Sequence, residues 1–130
     1  MSGPENTFIA SLHRLLPAGV YRMKNHNQFN GGIADVWYSG PKADLWAEFK
    51  FITVPVKDTT VIEFGLSPLQ KEWLASRHRE GRNVGVIVGC KAGGVWLPGI
   101  SWGSPCTAAQ FRKHVKTRIE LARIICALTA

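Results

Sequence analysis

The sequence predicts a mixed α/β domain in which helices cover both faces of a central sheet. Two observations support this class. Apolar residues recur at helical spacing near the start, the middle and the end of the chain, and short segments rich in aromatic and β-branched residues lie between these helices. The chain has 130 residues, which is enough to bury a core without a second domain, so we expect a single domain over residues 1–130.

The first half of the chain predicts one helix and three strands. The helix has Glu5 in its opening turn and ends before Pro17. A short strand over residues 20–23 and a polar loop lead to a second strand over about residues 34–38. The turn SGPK then leads to a third strand over residues 44–54. The second and third strands are therefore expected to form a β-hairpin, whose register the sequence leaves open.

The second half predicts a helix, two strands and a last helix. Ser67 is the expected N-cap of the first of these helices, and Gly81 closes it. Residues 83–88 are almost all apolar and β-branched, as is typical of a strand that is buried on both faces. A strand near residues 94–97 follows, and one continuous helix is expected over residues 107–125.

The charge balance favours a polyanionic partner. Lys and Arg number 16 against 9 Asp and Glu, a formal charge of +7. Such a balance favours nucleic acid or an anionic membrane surface, although it also occurs in basic proteins that bind neither. The basic residues are spread along the chain, which indicates a folded binding surface.

The sequence contains no pattern that predicts secretion or membrane insertion. The N-terminal MSGPENTFIASLHRLL lacks a basic region followed by a continuous apolar core, and no apolar run approaches the roughly 20 residues that span a bilayer. The three cysteines are odd in number and lack the paired spacing of a zinc site. We therefore expect a cytoplasmic protein with reduced cysteines.

Three charged residues on the predicted hairpin are the strongest candidates for chemistry. Glu48 and Lys50 share one face of a strand, whereas Phe49 and Phe51 point to the other. We expect the core on the phenylalanine side and a wet or ionic environment on the charged side. Asp35, on the neighbouring strand, would meet Glu48 across the hairpin.

This set of side chains suits a divalent cation and phosphodiester hydrolysis. Mg²⁺ prefers hard oxygen ligands, and Asp35, Glu48 and the main-chain carbonyl of Phe49 supply them. Mn²⁺ can replace Mg²⁺ at such a site. Lys50 would hold or deprotonate the attacking water, or offset negative charge in the transition state; the sequence leaves open which of these it does.

A second group of residues is suited to contacts with phosphate. Gln70 and Lys71 lie in the first turn of the helix that Ser67 caps, where free N–H groups and the helix dipole attract anions. The other candidates are basic side chains of a polar loop and of the last helix, namely Lys24, His26, Arg112, Lys113 and Lys116.

Each of these residues also has a purely structural explanation. A Glu and a Lys two positions apart occur by chance on exposed strands, and Asp35, after two glycines and a short loop, is typical of turns. Glu5 would interact favourably with a helix dipole, and Gln70 would be an ordinary surface residue. The order and context of the residues together favour a functional site.

The runs GGIADVWYSG, WAEFKFI and LSPLQKEWLASRHREGRNVGVIVG resemble the PD-(D/E)XK nuclease superfamily. Within it, they resemble the VRR-NUC and Holliday-junction-resolvase-like small nucleases. The resemblance implies that Asp35 and the Glu48-Phe49-Lys50 run bind metal and activate water, and that Glu5 completes the site. The chain has Ala34 where the superfamily name implies proline, a position that shapes backbone and supplies no ligand.

The same resemblance covers the helix that follows the hairpin. The serine and glutamine that open this helix in the superfamily, with a later aromatic residue and a glycine, correspond to Ser67, Gln70, Trp73 and Gly81. The resemblance thus assigns Gln70 to the active site.

The resemblance implies a three-layer αβα, restriction-endonuclease-like fold with a central mixed sheet. It also implies a Mg²⁺-dependent DNA endonuclease that acts on branched DNA such as a Holliday junction, and short nucleases of this type are common in phages, where the location would be the host cytoplasm. A homodimer would place two copies of one site on related strands. The alternatives are an exonuclease, a flap or nicking nuclease of the same fold, or a catalytically inactive module that binds nucleic acid.

Overall fold

A computed structural model describes residues 3–25 and 31–130 of the chain. The elements of this part of the chain follow the predicted order of helices and strands as far as the fifth strand. In chain order they are α1 (Pro4–His13), β1 (Tyr21–Lys24), β2 (Val36–Ser39), β3 (Asp44–Phe51), α2 (Pro68–Arg79), β4 (Val84–Cys90), β5 (Gly93–Pro98), a 3₁₀ helix (Ser101–Gly103), α3 (Ala108–His114) and α4 (Arg118–Thr129).

The five strands form one mixed sheet in the order β1-β2-β3-β4-β5. β3 and β4 are parallel because the chain crosses over through α2, and the other neighbouring strands are antiparallel. The predicted hairpin is confirmed, and its register pairs Val36 with Ala47. Asp35, the residue before Val36, therefore lies beside Glu48, the residue after Ala47.

Helices cover both faces of this sheet, so the predicted three-layer arrangement is confirmed. α1 and α4 cover one face, where Phe8, Leu121 and Phe49 belong to one buried cluster. α2 and α3 cover the other face, where Leu74 and Phe111 belong to a second cluster. Each cluster is built from alternate residues of the central strands, as expected of a sheet buried on both faces. In the described part of the chain, no helix combines the length and apolarity that crossing a bilayer requires.

β4 separates the two clusters. All seven of its residues are buried, and Ile87 faces the α1 and α4 layer while Val86 and Val88 face the α2 and α3 layer. The prediction of a strand buried on both faces is confirmed, although β4 extends to Cys90. β3 is shorter than predicted and ends at Phe51.

The prediction of one continuous C-terminal helix is wrong. α3 ends at His114, and α4 begins after Thr117, whose hydroxyl accepts the Glu120 N–H at 3.1 Å while the Glu120 carboxylate accepts the Thr117 N–H at 2.8 Å. Between the two helices, Lys116 exchanges backbone hydrogen bonds with Gly94 of β5, at 2.7 and 2.9 Å. The link is extended because it pairs with the sheet, and the Thr117 capping box restarts the helix.

Candidate active site

Asp35 occupies the point where β2 and β3 cease to pair. Its Oδ2 atom accepts the backbone N–H of Phe49 at 3.0 Å. The side chain thus takes the place of the backbone carbonyl that would accept this N–H if β2 continued. The N–H and the carbonyl of one strand residue point to the same neighbouring strand. The carbonyl of Phe49 is therefore directed to the same edge of β3 as the Asp35 carboxylate.

Glu48 is buried, in contrast to the wet or ionic surroundings that we expected for its face of β3. Its side chain is 2% exposed because α2 covers this face. Oε2 accepts a hydrogen bond from Gln70 Nε2 at 3.0 Å and lies 3.8 Å from Lys50 Nζ. Oε1 is buried and has no hydrogen-bond partner among the described residues. An unpaired buried carboxylate oxygen is costly, so it marks a position where a ligand would be stabilising.

Three carboxyl groups interact at this point. Burial raises the pKa of Glu48 to about 9, and the Asp35 carboxyl raises it further through its charge and through a hydrogen bond that requires a proton on one of the two carboxyls. The Lys50 ammonium opposes the shift. Burial also raises the pKa of Glu5; the charge of Asp35 adds to this rise, and Lys50 and Lys24 oppose it. The three carboxyl groups thus interact electrostatically, and a cation would relieve their repulsion.

Among the described residues, Asp35 and Glu48 are the pair of carboxyl groups that could share one ion. In the described ranges, no three His, Cys, Asp or Glu side chains come together as a metal-binding group. Glu5, in the first turn of α1, lies within electrostatic reach of Asp35 without joining such a group. Mg²⁺ is usually bound by one or two carboxylates of a protein, and Asp35 and Glu48 supply this number. The main-chain carbonyl of Phe49 would add a further oxygen.

Gln70 is held in place by the capping box of α2. The Ser67 hydroxyl accepts the Gln70 N–H at 3.1 Å, and Gln70 Oε1 accepts the Ser67 N–H at 2.9 Å. The amide oxygen is therefore committed to the cap, and the amide nitrogen is left to donate to Glu48. The hydroxyl of Ser67 is likewise committed to the cap, while Lys71 in the same turn is exposed.

The remaining predicted phosphate contacts are scattered. Lys24 Nζ donates to Asn6 at 3.1 Å and lies near Glu5. Arg112 on α3 pairs with Asp58 at 2.7 Å and also donates to the Pro55 carbonyl, so its guanidinium is engaged within the protein.

The predicted basic surface on the last helix is not one helical stripe. Lys113 is exposed on α3, whereas Lys116 lies in the extended link after it. α3 packs on β5, two strands away from β3. His26 lies outside the described residues.

Sequence reasoning did not single out the tryptophans beside the carboxylates. Trp37 follows Asp35 by two residues, and Trp46 precedes Glu48 by two, so each shares a sheet face with a carboxylate. Their rings stack with centroids 6.1 Å apart. The period of two was visible in the sequence, but the pairing of Trp37 with Trp46 depends on the register of the hairpin.

The five-stranded mixed sheet with helices on both faces is a restriction-endonuclease-like fold. The 1.6 Å structure of Hjc, a Holliday junction resolvase from the archaeal hyperthermophile Archaeoglobus fulgidus, is similar, with a TM-score of 0.56 over 92% of this chain and 95% of that chain. The two sequences are 12% identical, so the likeness is one of fold. No protein-family model matches the chain, and no curated protein sequence is significantly similar to it.

Proposed function

We propose that this chain is a metal-dependent nuclease that hydrolyses phosphodiester bonds in DNA. The observation that carries the proposal is the buried carboxyl of Glu48, which interacts with Asp35 and whose Oε2 lies 3.8 Å from Lys50 Nζ, while its Oε1 has no hydrogen-bond partner in the described part of the chain. A structural role would have satisfied this oxygen or replaced the carboxylate. The restriction-endonuclease-like fold and the net charge of +7 support a DNA substrate.

The donor set fits a hard divalent cation. Asp35, Glu48 and the Phe49 carbonyl would hold Mg²⁺, for which Mn²⁺ can substitute, because all three offer oxygen. When bound, such an ion acts as a Lewis acid toward the scissile phosphate and makes water a better nucleophile near neutral pH.

Lys50 and Gln70 both approach Oε2 of Glu48 but have different roles in this proposal. The Lys50 ammonium, 3.8 Å from Glu48 Oε2, would orient the attacking water and offset negative charge as the phosphorane-like transition state develops. Gln70, fixed by the helix cap, holds the Glu48 carboxylate in one orientation by donating to Oε2. Glu5 would accept a hydrogen bond from water at the edge of the site.

The proposed substrate is branched or otherwise structured DNA, in accord with the resolvase that shares the fold. Exposed Lys71 beside the α2 N-terminus and Lys24 near α1 would contact phosphates on either side of the site. Contacts of this kind read backbone shape and carry no base sequence. A homodimer is part of the proposal for cleavage of two related strands.

A cleavage assay with Mg²⁺ on four-way junction, flap, linear duplex and single-stranded DNA tests the proposal. We expect wild type to cut the junction or flap best and Lys50→Ala to bind it without cutting. Preferential loss of nucleotides from ends would identify an exonuclease of the same fold. If wild type cuts none of these DNAs and Lys50→Ala binds junctions equally well, the chain is a binding module and the enzyme proposal is wrong.

A further inference from the structure

Four aromatic side chains form a continuous row on the sheet face that carries Glu48. The row consists of Tyr21 on β1, Trp37 on β2, Trp46 on β3 and Trp73 on α2. Successive ring centroids are 5.4, 6.1 and 5.6 Å apart, with edge-to-face contacts at both ends and a stacked pair in the middle. These spacings are typical of aromatic pairs that support one another, so the row has a defined shape.

The aromatic row runs alongside the candidate active site. On β2, Trp37 lies two residues from Asp35, and on β3, Trp46 lies two residues from Glu48, a separation of about 6.7 Å along each strand. On α2, Trp73 lies three residues from Gln70, close to one helical turn. β2, β3 and α2, which adjoin Asp35 or carry Glu48 and Gln70, thus each supply a tryptophan as well.

The row is accessible at the edge of the sheet. Tyr21 is 56% exposed, and its neighbour Met23 is 45% exposed. The three tryptophans are half-buried. On the opposite face of the same strands, Val36 and Tyr38 are fully buried beneath α1 and α4. Within the described residues, the face of β1 and β2 that carries Tyr21 and Trp37 therefore leaves apolar side chains accessible beside the site, whereas the opposite face of β2 is covered.

Positive charge lies at the α2 end of the row. A hollow of about 330 Å³ is lined by Trp46, Trp73, Ser76, Arg77 and Arg82. Arg77 pairs with Glu80 at 3.0 Å, whereas Arg82 has no ion-pair partner in the part of the chain that the structure describes. Rings beside the guanidinium group of Arg82 offer a stacking surface for bases together with a contact for phosphate.

We propose that the aromatic row binds an unpaired segment of the DNA substrate by stacking its bases beside the scissile phosphate. The inference rests on the proposed nuclease function and adds a substrate feature to it: single-stranded nucleotides next to the cut. Stacking on aromatic side chains tolerates any base, which suits a protein that reads shape. A second copy of the chain fits less well, because a two-fold contact would bring the same positively charged patch against itself.

Binding in EDTA tests this inference separately from catalysis, because no cleavage is required. Fluorescence anisotropy would compare a blunt duplex with the same duplex carrying a single-stranded overhang. We expect Trp37→Ala and the surface change Tyr21→Ala each to weaken binding to the overhang substrate by about tenfold, with little effect on the blunt duplex. Trp37→Phe should restore most of the affinity. Ile119→Ala, which removes an exposed apolar side chain from α4 in the other layer, is the matched control and should change neither.

Salt dependence separates stacking from charge. Trp37→Ala should leave the slope of log K against log salt unchanged, whereas Arg82→Ala should make it shallower, because only the arginine displaces counterions. Equal losses on both DNAs, or no loss with Tyr21→Ala and Trp37→Ala, would overturn the inference. Sedimentation that shows a dimer in wild type and a monomer in both variants would assign the row to a second copy.

The two proposals fail in different ways. A protein that cuts DNA while Trp37→Ala binds the overhang normally would overturn this inference and leave the nuclease intact. A protein that loses overhang binding in Trp37→Ala yet cuts no DNA would retain the stacking surface and overturn the nuclease.

Discussion

Both faces of β3 contain buried residues, but these residues carry opposite kinds of side chain. On one face, Ala47 and Phe49 are fully buried among the aromatic and aliphatic residues of α1 and α4. On the other face, Glu48 is 2% exposed and Lys50 is partly exposed. Burial by itself therefore does not separate core from candidate site on this strand.

The two faces of β3 differ in whether their buried side chains have all the partners that they need. The Phe49 ring needs only contacts, and it has a tilted ring neighbour in Phe8 with centroids 6.2 Å apart. The ionised Glu48 needs a partner for each oxygen, and Oε1 has none among the described residues. A carboxylate kept under these conditions lowers stability, which indicates that it is retained for binding or chemistry.

The largest expected effect is the loss of cleavage when either carboxylate is removed. Asp35→Ala and Glu48→Ala should lower the cleavage rate by at least about a thousandfold, because the cation and the oriented water are both lost. DNA binding should be unchanged or stronger, since negative charge near phosphate is removed. Gel assays of cleavage and anisotropy measure the two effects. Glu63→Ala, at an exposed carboxylate, is the control, and cleavage by Asp35→Ala at the wild-type rate would show that the site is misplaced.

Phe49→Ala should produce the largest change in stability on the opposite face. Removing a fully buried ring costs about 3–5 kcal/mol through lost burial and the cavity that remains. Urea unfolding measures this free energy, with Val56→Ala, which is 94% exposed, as the control. A loss of less than about 1 kcal/mol would show that this face is loosely packed and would weaken the comparison of the two faces.

Glu48→Gln should raise stability in EDTA, whereas Phe49→Ala lowers it. The folded-state pKa of Glu48, about 9, lies above the ordinary value of 4.5, so the folded protein binds more protons between these values and wild-type stability falls as pH rises through them. The glutamine removes this dependence. Thermal unfolding should therefore show Glu48→Gln more stable than wild type at pH 8, with a smaller difference at pH 5. A variant less stable at pH 8 would indicate that the carboxylate is well satisfied in the metal-free protein.

The smallest expected effect concerns His13, on the same side of the sheet as Phe49. Burial lowers the pKa of His13 to about 4, with Arg22 and Lys24 adding to the shift, and its ring hydrogen-bonds with the Tyr38 hydroxyl at 2.8 Å. The unfolded chain binds the proton below about pH 6.5, so stability falls as pH drops from 6.5 to 4. His13→Gln should flatten this part of the stability profile, and an unchanged profile would mean that the pKa of His13 is the same in the folded and unfolded protein.

The hairpin and the start of α2 were predictable because their signals are local. The turn SGPK separates two strand-like runs, and Ser67 with Gln70 three residues later has the spacing of a capping box. These local patterns were enough to place Asp35, Glu48 and Gln70 on neighbouring elements.

The features that the sequence did not predict depend on contacts between distant parts of the chain. The burial of Glu48 results from α2 lying over β3, which a strand pattern does not encode. The break between α3 and α4 follows from pairing of Lys116 with Gly94, although Thr117 and Glu120 offered a capping pattern in the sequence. The aromatic row likewise required the register of β2 and β3.

The unsatisfied Oε1 of Glu48 is proposed to belong to a cation site. Calorimetric titration with Mn²⁺ tests this proposal most directly, because it needs neither DNA nor turnover. Wild type should show saturable binding, Glu48→Gln and Asp35→Asn should lose at least about tenfold in affinity, and Glu63→Gln should match wild type. Binding of Mn²⁺ to Glu48→Gln with wild-type affinity would contradict the account.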